Sequence, residues 1–242
     1  MSFPGALAGA SPWGSPTAAP PAEVANNWFS WHYIQQNADQ ILTDLQFHFV
    51  TTIEAVIAAM IVAIPLAVLC YWVKPLAAPI LALSGVLYTI PSLALFAFLA
   101  PFIGIGVTTI LIGLVLYALL LMIQNTLTGL RQVPEEVRDA ARGMGYSRFG
   151  MLLRVELPLA LPGIITGIRL ATVSTVALLT VGVIVGQGGL GQLIFSGLHT
   201  NFGKAPIFTG TILCVALGLA LDLVIAGIGH LITPWTRRGA TA

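Results

Sequence analysis

The chain has 242 residues, 57% of them hydrophobic and only 8% charged, with a net charge of +1 and a mean hydropathy of +0.93. Soluble domains carry about 25% charged residues, and a soluble fold of this length has too little polar surface to cover so much apolar area. Composition therefore excludes a soluble globular domain, gives no basis for nucleic-acid binding, and points to an integral membrane protein.

Residues 1–27 are rich in Pro, Ala, Gly and Ser and contain no Lys or Arg. They lack the basic start and unbroken apolar core of a cleaved signal peptide, and this composition predicts a disordered tail. In residues 28–48, Tyr33, Ile34, Ile41, Leu42 and Leu45 recur at helical spacing, and Trp28 and Trp31 suit the headgroup region. Two readings fit: an amphipathic helix on the outer surface, or an extension of the first span. Residues 49–242 form the transmembrane domain.

A spanning helix needs about 20 mostly apolar residues. Five stretches qualify, roughly Phe49–Val73, Leu76–Ala100, Phe102–Ile123, Leu159–Val185 and Pro206–Ile232. They lack the period-2 alternation and short length of barrel strands, so the fold class is an all-α membrane protein. Cys70 and Cys214 fall inside apolar stretches and read as small buried residues.

Five of the ten basic residues, Arg131, Arg138, Arg142, Arg148 and Arg154, lie in or beside the segment 131–158 between spans three and four. Basic residues in short loops stay cytoplasmic. That loop is thus inside, with Lys74 and the C-terminal Arg237 and Arg238, while the N-terminal tail is outside. Within the segment, Pro134 suits a first helical position, and Glu135, Glu136 and Asp139 sit near the positive end of a helix dipole. Gly143 and Gly145 permit a turn. "SRFGMLLRVEL" predicts a second short helix, and Pro158 and Pro162 return the chain to the membrane. Topology alone explains the arginines; it does not require small residues at fixed offsets.

Those offsets carry a resemblance. Permease subunits of bacterial ABC importers share a cytoplasmic pattern of Glu-Ala-Ala, three residues, Gly, nine residues, then Ile-x-Leu-Pro. This chain has Asp139-Ala140-Ala141, three residues, Gly145, nine residues, then Val155-Glu156-Leu157-Pro158. Asp for Glu and Val for Ile are the departures. The resemblance implies a coupling segment in which Asp139, Ala140, Ala141, Gly145, Val155, Leu157 and Pro158 dock on a separate ATPase. "YIQQNADQIL", "YTIPSLALFAFLAPFIGIG", "PLALPGIITGIRLATV" and "VGQGGLGQLIFSGL" further resemble the permeases of glycine betaine, choline and carnitine importers. This implies the fold of a type I importer permease and a bacterial cell-membrane location. The implied partners are an ATPase dimer carrying ATP and Mg, a second permease subunit, and an extracytoplasmic substrate-binding protein.

Other features of the sequence admit plainer readings. Gly186, Gly188, Gly189 and Gly191 include the text string G-x-G-x-x-G, but it follows a membrane span on the outer side rather than a strand, so dinucleotide binding is excluded. The alternatives are an outer-side turn where backbones approach closely, which the resemblance places near the binding protein or the gate, or a simple loop. Arg169 and Asp222 are the deepest charges; each lies about ten residues, roughly 15 Å, from the inner end of its span. Because an isolated charge in the bilayer is costly, an Arg169–Asp222 ion pair is predicted. His48 and Glu54 do not make a metal site. Tyr88, Phe96, Phe98, Phe102 and Tyr117 are compatible with an aromatic cage for a quaternary ammonium group, although span aromatics more often pack in cores or face lipid. No catalytic constellation or phosphate-binding loop is present in the sequence, and none of its residues is expected to hold a cofactor. Alternatives are a permease for an amino acid or sulfonate, and, more remotely, an ion-coupled secondary transporter, for which no internal repeat is found.

Overall fold

The computed structural model describes residues 27–186, 188–200 and 202–237. Nearly all of the predicted N-terminal tail, and Arg238, lie outside the described residues. The described residues are helical throughout, without strands: α1 (Trp31–Gln36), α2 (Ala38–Trp72), α3 (Lys74–Thr89), α4 (Ser92–Ile103), α5 (Val107–Arg131), α6 (Glu135–Gly143), α7 (Arg148–Met151), α8 (Leu157–Gly182), α9 (Leu190–His199) and α10 (Lys204–Ile232). A π-helical turn, Leu152–Glu156, joins α7 to α8, and a 3-10 turn, Pro234–Arg237, follows α10.

Four helical stretches are long and apolar enough to cross a membrane: Ala38–Trp72, Val107–Arg131, Arg148–Gly182 and Lys204–Ile232. The expected second span, Leu76–Ala100, is not one straight helix. It is the pair α3 and α4, bent by 99° at Ile90–Pro91. The cause is local. Proline disfavours helical backbone in the preceding residue, and Ile90 is extended at φ −65°, ψ 129°. The Ile90 carbonyl freed by the break accepts a hydrogen bond from the Tyr117 hydroxyl.

The pair nevertheless counts as one crossing. Tyr71, at the end of α2, hydrogen-bonds to Arg138, seven residues beyond the end of α5. Both helices therefore finish on the same face, and residues 74–103 must carry the chain back across. Five crossings result.

Several boundaries move. Of the two readings of residues 28–48, the extension of the first span is the one seen from Ala38 onward: α2 runs unbroken through the expected start at Phe49, and only Trp31–Gln36 stands apart as a short helix. Pro101 lies inside α4 rather than between spans, and Gly104, at φ +102°, ends that helix. The third span accordingly starts five residues late and ends eight residues late, at Arg131. Pro134 caps α6 from outside at φ −59°, ψ 141°, rather than occupying its first turn.

Packing relies on small residues. Ala55, Ala59, Ala63, Ala67 and Cys70 form a fully buried stripe on one face of α2. Without lipid-driven hydrophobic pressure, such stripes let backbones approach and gain dispersion. One such close approach is between α5 and α8, where a Cβ on Gly163 would lie 2.9 Å from both the Asn125 carbonyl and Gly129 Cα. Cys70 is buried as read from the sequence, whereas Cys214 is only half-buried and lines a groove.

Candidate functional site

The arginine-rich segment folds as helix, turn and helix. In α6, Arg138 pairs with Glu135 at 2.8 Å, and Arg142 pairs with Asp139 at 2.7 Å and with Glu135 at 3.3 Å. These charges neutralise one another along an exposed helix; pairs of this kind add little to stability. Ala140 is exposed and Ala141 is buried against the bundle. The turn needs Gly145, whose φ of +81° suits glycine, and an added Cβ there would meet nothing within 4 Å. The Ser147 hydroxyl accepts the Gly150 amide and starts α7.

Beside the turn lies a groove of about 500 Å³ lined by Gly145, Tyr146, Phe149, Leu153 and neighbouring residues. Met144 is 70% exposed and Phe149 is 61% exposed on its rim. The rim thus sets two exposed apolar side chains beside the polar groups of Tyr146, Ser147 and Arg154.

The chain re-enters the bundle through the π turn. Pro158 lacks an amide hydrogen, and its ring would crowd the Arg154 carbonyl in an ordinary α-turn. The wider turn over Leu152–Glu156 absorbs this conflict. Val155 falls within that turn, and Leu157 and Pro158 open α8, which continues through Pro162 without a break.

Sequence reasoning missed what this turn does with Glu156. The side chain is 1% exposed. Tyr71 of α2 donates to its Oε1 at 2.6 Å, and Arg138 of α6 donates to the Tyr71 oxygen at 2.9 Å. The available signal was a lone carboxylate inside the apolar run "RVELPLALP".

Arg169 of α8 and Asp222 of α10 meet in bidentate geometry, Nε to Oδ1 at 2.8 Å and Nη2 to Oδ2 at 2.7 Å. The pair borders a largely apolar groove of about 620 Å³ between these two helices, with side chains 41% and 21% exposed. Arginine matches a carboxylate through its planar fork, so the pairing fixes orientation as well as charge.

The glycines between α8 and α9 sit against α2. Gly188 and Gly189 have φ of +113° and +84° and pack on Phe47 and His48. A Cβ at Gly186 would strike Ile110, and one at Gly191 would strike the Thr180 backbone. Buried His48 closes the arrangement: its Nδ1 accepts the Leu190 amide at 3.2 Å, so Nε2 carries the proton toward the Val176 carbonyl at 3.1 Å. The turn is therefore clasped to two spans. Burial and the charge of Asp44 push the nearby Tyr33 hydroxyl above the usual phenol range.

The five aromatic residues do not gather into one cage. Phe96 is in the core, Phe98 and Phe102 stack together on an exposed face, and Tyr88 and Tyr117 meet edge to face beside the α3–α4 break. No group of His, Cys, Asp or Glu among the described residues has metal-binding geometry.

Five crossings, with the helix–turn–helix of residues 135–151 at one end of the bundle, define an all-helical membrane protein. Residues 55–238 match the family of binding-protein-dependent transport system inner membrane components, and the chain belongs to that family. It is 35% identical over 202 residues to the glycine betaine/carnitine/choline transport system permease protein OpuCD of Bacillus subtilis, covering 84% of this chain and 88% of that protein. It is also 35% identical over 208 residues to the osmoprotectant import permease protein OsmW of Salmonella typhimurium, covering 84% and 96%. The solved MetNI methionine ABC transporter, in an inward-facing conformation, contains a chain of the same fold, with a TM-score of 0.76 at 21% identity over 82% of this chain and 99% of that one. The protein is thus an inner-membrane permease component of an ABC importer.

Proposed function

We propose that this permease imports compatible solutes carrying a quaternary ammonium group, such as glycine betaine, choline or carnitine. The observation that carries the reading is the similarity to permeases of such importers along most of both chains. The partners are an ATPase dimer that binds ATP and Mg, a second permease subunit around a shared axis, and an extracytoplasmic binding protein.

Transport proceeds by alternating access. ATP binding closes the ATPase dimer, and the segment around Asp139, Ala140, Ala141 and Gly145 follows that movement. The exposed Met144 and Phe149 side chains support docking at this point, and the unbroken helical run from Arg148 through the π turn to Gly182 supports transfer of the motion into α8. The outer side then opens to accept solute, and hydrolysis restores the inward-open state. The arginine distribution supports an N-out, C-in orientation. The Arg169–Asp222 pair clamps α8 to α10 in this scheme, and the glycine turn lies on the side that meets the binding protein.

The substrate class is tested in proteoliposomes holding the permease, its ATPase and its binding protein. Uptake of labelled glycine betaine, choline or carnitine, with none of methionine or a sulfonate, is expected. Uptake confined to the latter compounds would reject the assignment.

A further inference from the structure

The inner end of α2 is gripped by two different parts of the cytoplasmic segment. On one side, the Arg138 guanidinium reaches the Tyr71 hydroxyl at 2.9 Å, and that hydroxyl donates to Glu156 at 2.6 Å. On the other, Arg148 of α7 lies 5.2 Å over the Trp72 ring and donates to the Trp72 carbonyl at 3.3 Å. Arg138 is itself fixed within the segment, to the Val133 carbonyl at 3.0 Å and to Glu135 at 2.8 Å.

Tyr71 therefore uses its one hydroxyl as both acceptor and donor, and it joins α2, α6 and the π turn. Hydrogen bonds in such a chain polarise one another, more strongly where water is excluded. Among the described residues, Tyr71 is also the one hydrogen-bond donor on the Glu156 carboxyl, whose buried Oε2 has no partner among them. Breaking the chain leaves a buried carboxyl and a half-buried guanidinium short of partners, so the three groups move together at lower cost than they separate.

We propose that Tyr71 is a positioning residue for transport: the Arg138–Tyr71–Glu156 chain makes the coupling helix α6, the inner end of α2 and the start of α8 move as one body. The inference rests on the permease reading above and extends it. Movement imposed on α6 reaches the bundle through α2 as well as through the covalent connection into α8. The arginines thereby acquire a second role beyond holding the loop in the cytoplasm. The π turn fits this role, since it is the element that aims Glu156 at Tyr71.

The test compares the wild-type complex with Tyr71→Phe, which keeps the ring and removes the hydroxyl. Two quantities are read: solute carried per ATP hydrolysed, and hydrogen exchange at residues 68–72 with and without bound ATPase. In the wild type, ATPase binding should slow exchange in both α6 and residues 68–72. In Tyr71→Phe, slowing should persist in α6 and be lost in 68–72, with solute per ATP falling at least about fivefold, the lower end of typical coupling between sites. A purely structural role would instead lower assembly, hydrolysis and transport in proportion, and that result overturns the proposal. So does unchanged protection at 68–72 with unchanged solute per ATP. Should Tyr71→Phe not assemble, Glu156→Gln is read by the same two measurements. It keeps the acceptor for Tyr71 and removes the charge, and a smaller loss of the same kind is expected. A wild-type chain that captures ATPase normally but shows no protection at 68–72 refutes the chain alone, while one that captures no ATPase refutes the permease reading beneath it.

Discussion

Replacing Gly163 by alanine adds one methyl group where α8 crosses α5, and the structure sets both the sign and the size of the effect. The new Cβ would lie 2.9 Å from the Asn125 carbonyl oxygen and 2.9 Å from Gly129 Cα, against an ordinary contact of 3.4–4 Å. Both obstacles are backbone, so no side chain can rotate away, and the helices must separate by roughly 0.5–1 Å. A gap of about that size forfeits a quarter to a half of the dispersion well along the contact, and overpacking of this kind costs about 1–3 kcal/mol. Alanine returns about 1 kcal/mol through its higher helix propensity. The net expectation is a destabilisation of up to about 2 kcal/mol. Gly85→Ala is the internal control, because its Cβ would meet nothing within 4 Å. That change should be neutral or slightly stabilising. Thermal unfolding of both purified variants in one detergent reads the comparison. A Gly163→Ala protein stabilised as much as Gly85→Ala, or more, would refute the close-packed α5–α8 contact.

Three further outcomes follow from the geometry. Asp222→Ala should lower thermal stability more than the double change with Arg169→Ala, since it strands the guanidinium; purely additive losses in a double-mutant cycle would show that the two do not interact. Gly145→Trp faces open space within the chain, and Gly145 has a φ that side chains rarely adopt; the variant should insert normally yet lose ATPase capture by more than about tenfold, and normal co-purification would contradict docking at this turn. His48→Leu leaves the Leu190 amide and the Val176 carbonyl without their ring partner, so it should cost about 1–3 kcal/mol and raise protease cleavage in 186–190; unaltered cleavage would remove the clasp.

How much of this was legible beforehand depended on whether a feature is local. The five apolar crossings and the glycine-turned cytoplasmic segment follow from composition and spacing. The pairing of Arg169 with Asp222 could be anticipated because a charge in a span has few alternatives. The break at Ile90–Pro91 was present in the sequence as a proline, yet the surrounding run is apolar enough to read as one helix; hydropathy averages over a bend. Likewise Ala38–Phe47 carries enough polar residues to look like a surface helix, while the helix is continuous with the span below it. The Arg138–Tyr71–Glu156 chain was not legible at all. Its members are 67 and 85 residues apart, and only the fold brings them together. His48 shows the same limit: beside Glu54 it suggested a ligand pair to be dismissed, and its real partners lie on α8 and α9.

The most direct test of the central claim is nucleotide dependence of solute accumulation. The permease is reconstituted with its ATPase and binding protein, and uptake of a quaternary ammonium solute is followed with ATP, with a non-hydrolysable analogue, and with the permease alone. Accumulation that requires ATP hydrolysis and all three components is the predicted result. ATP-independent accumulation by this chain alone, driven by an ion gradient, would contradict it.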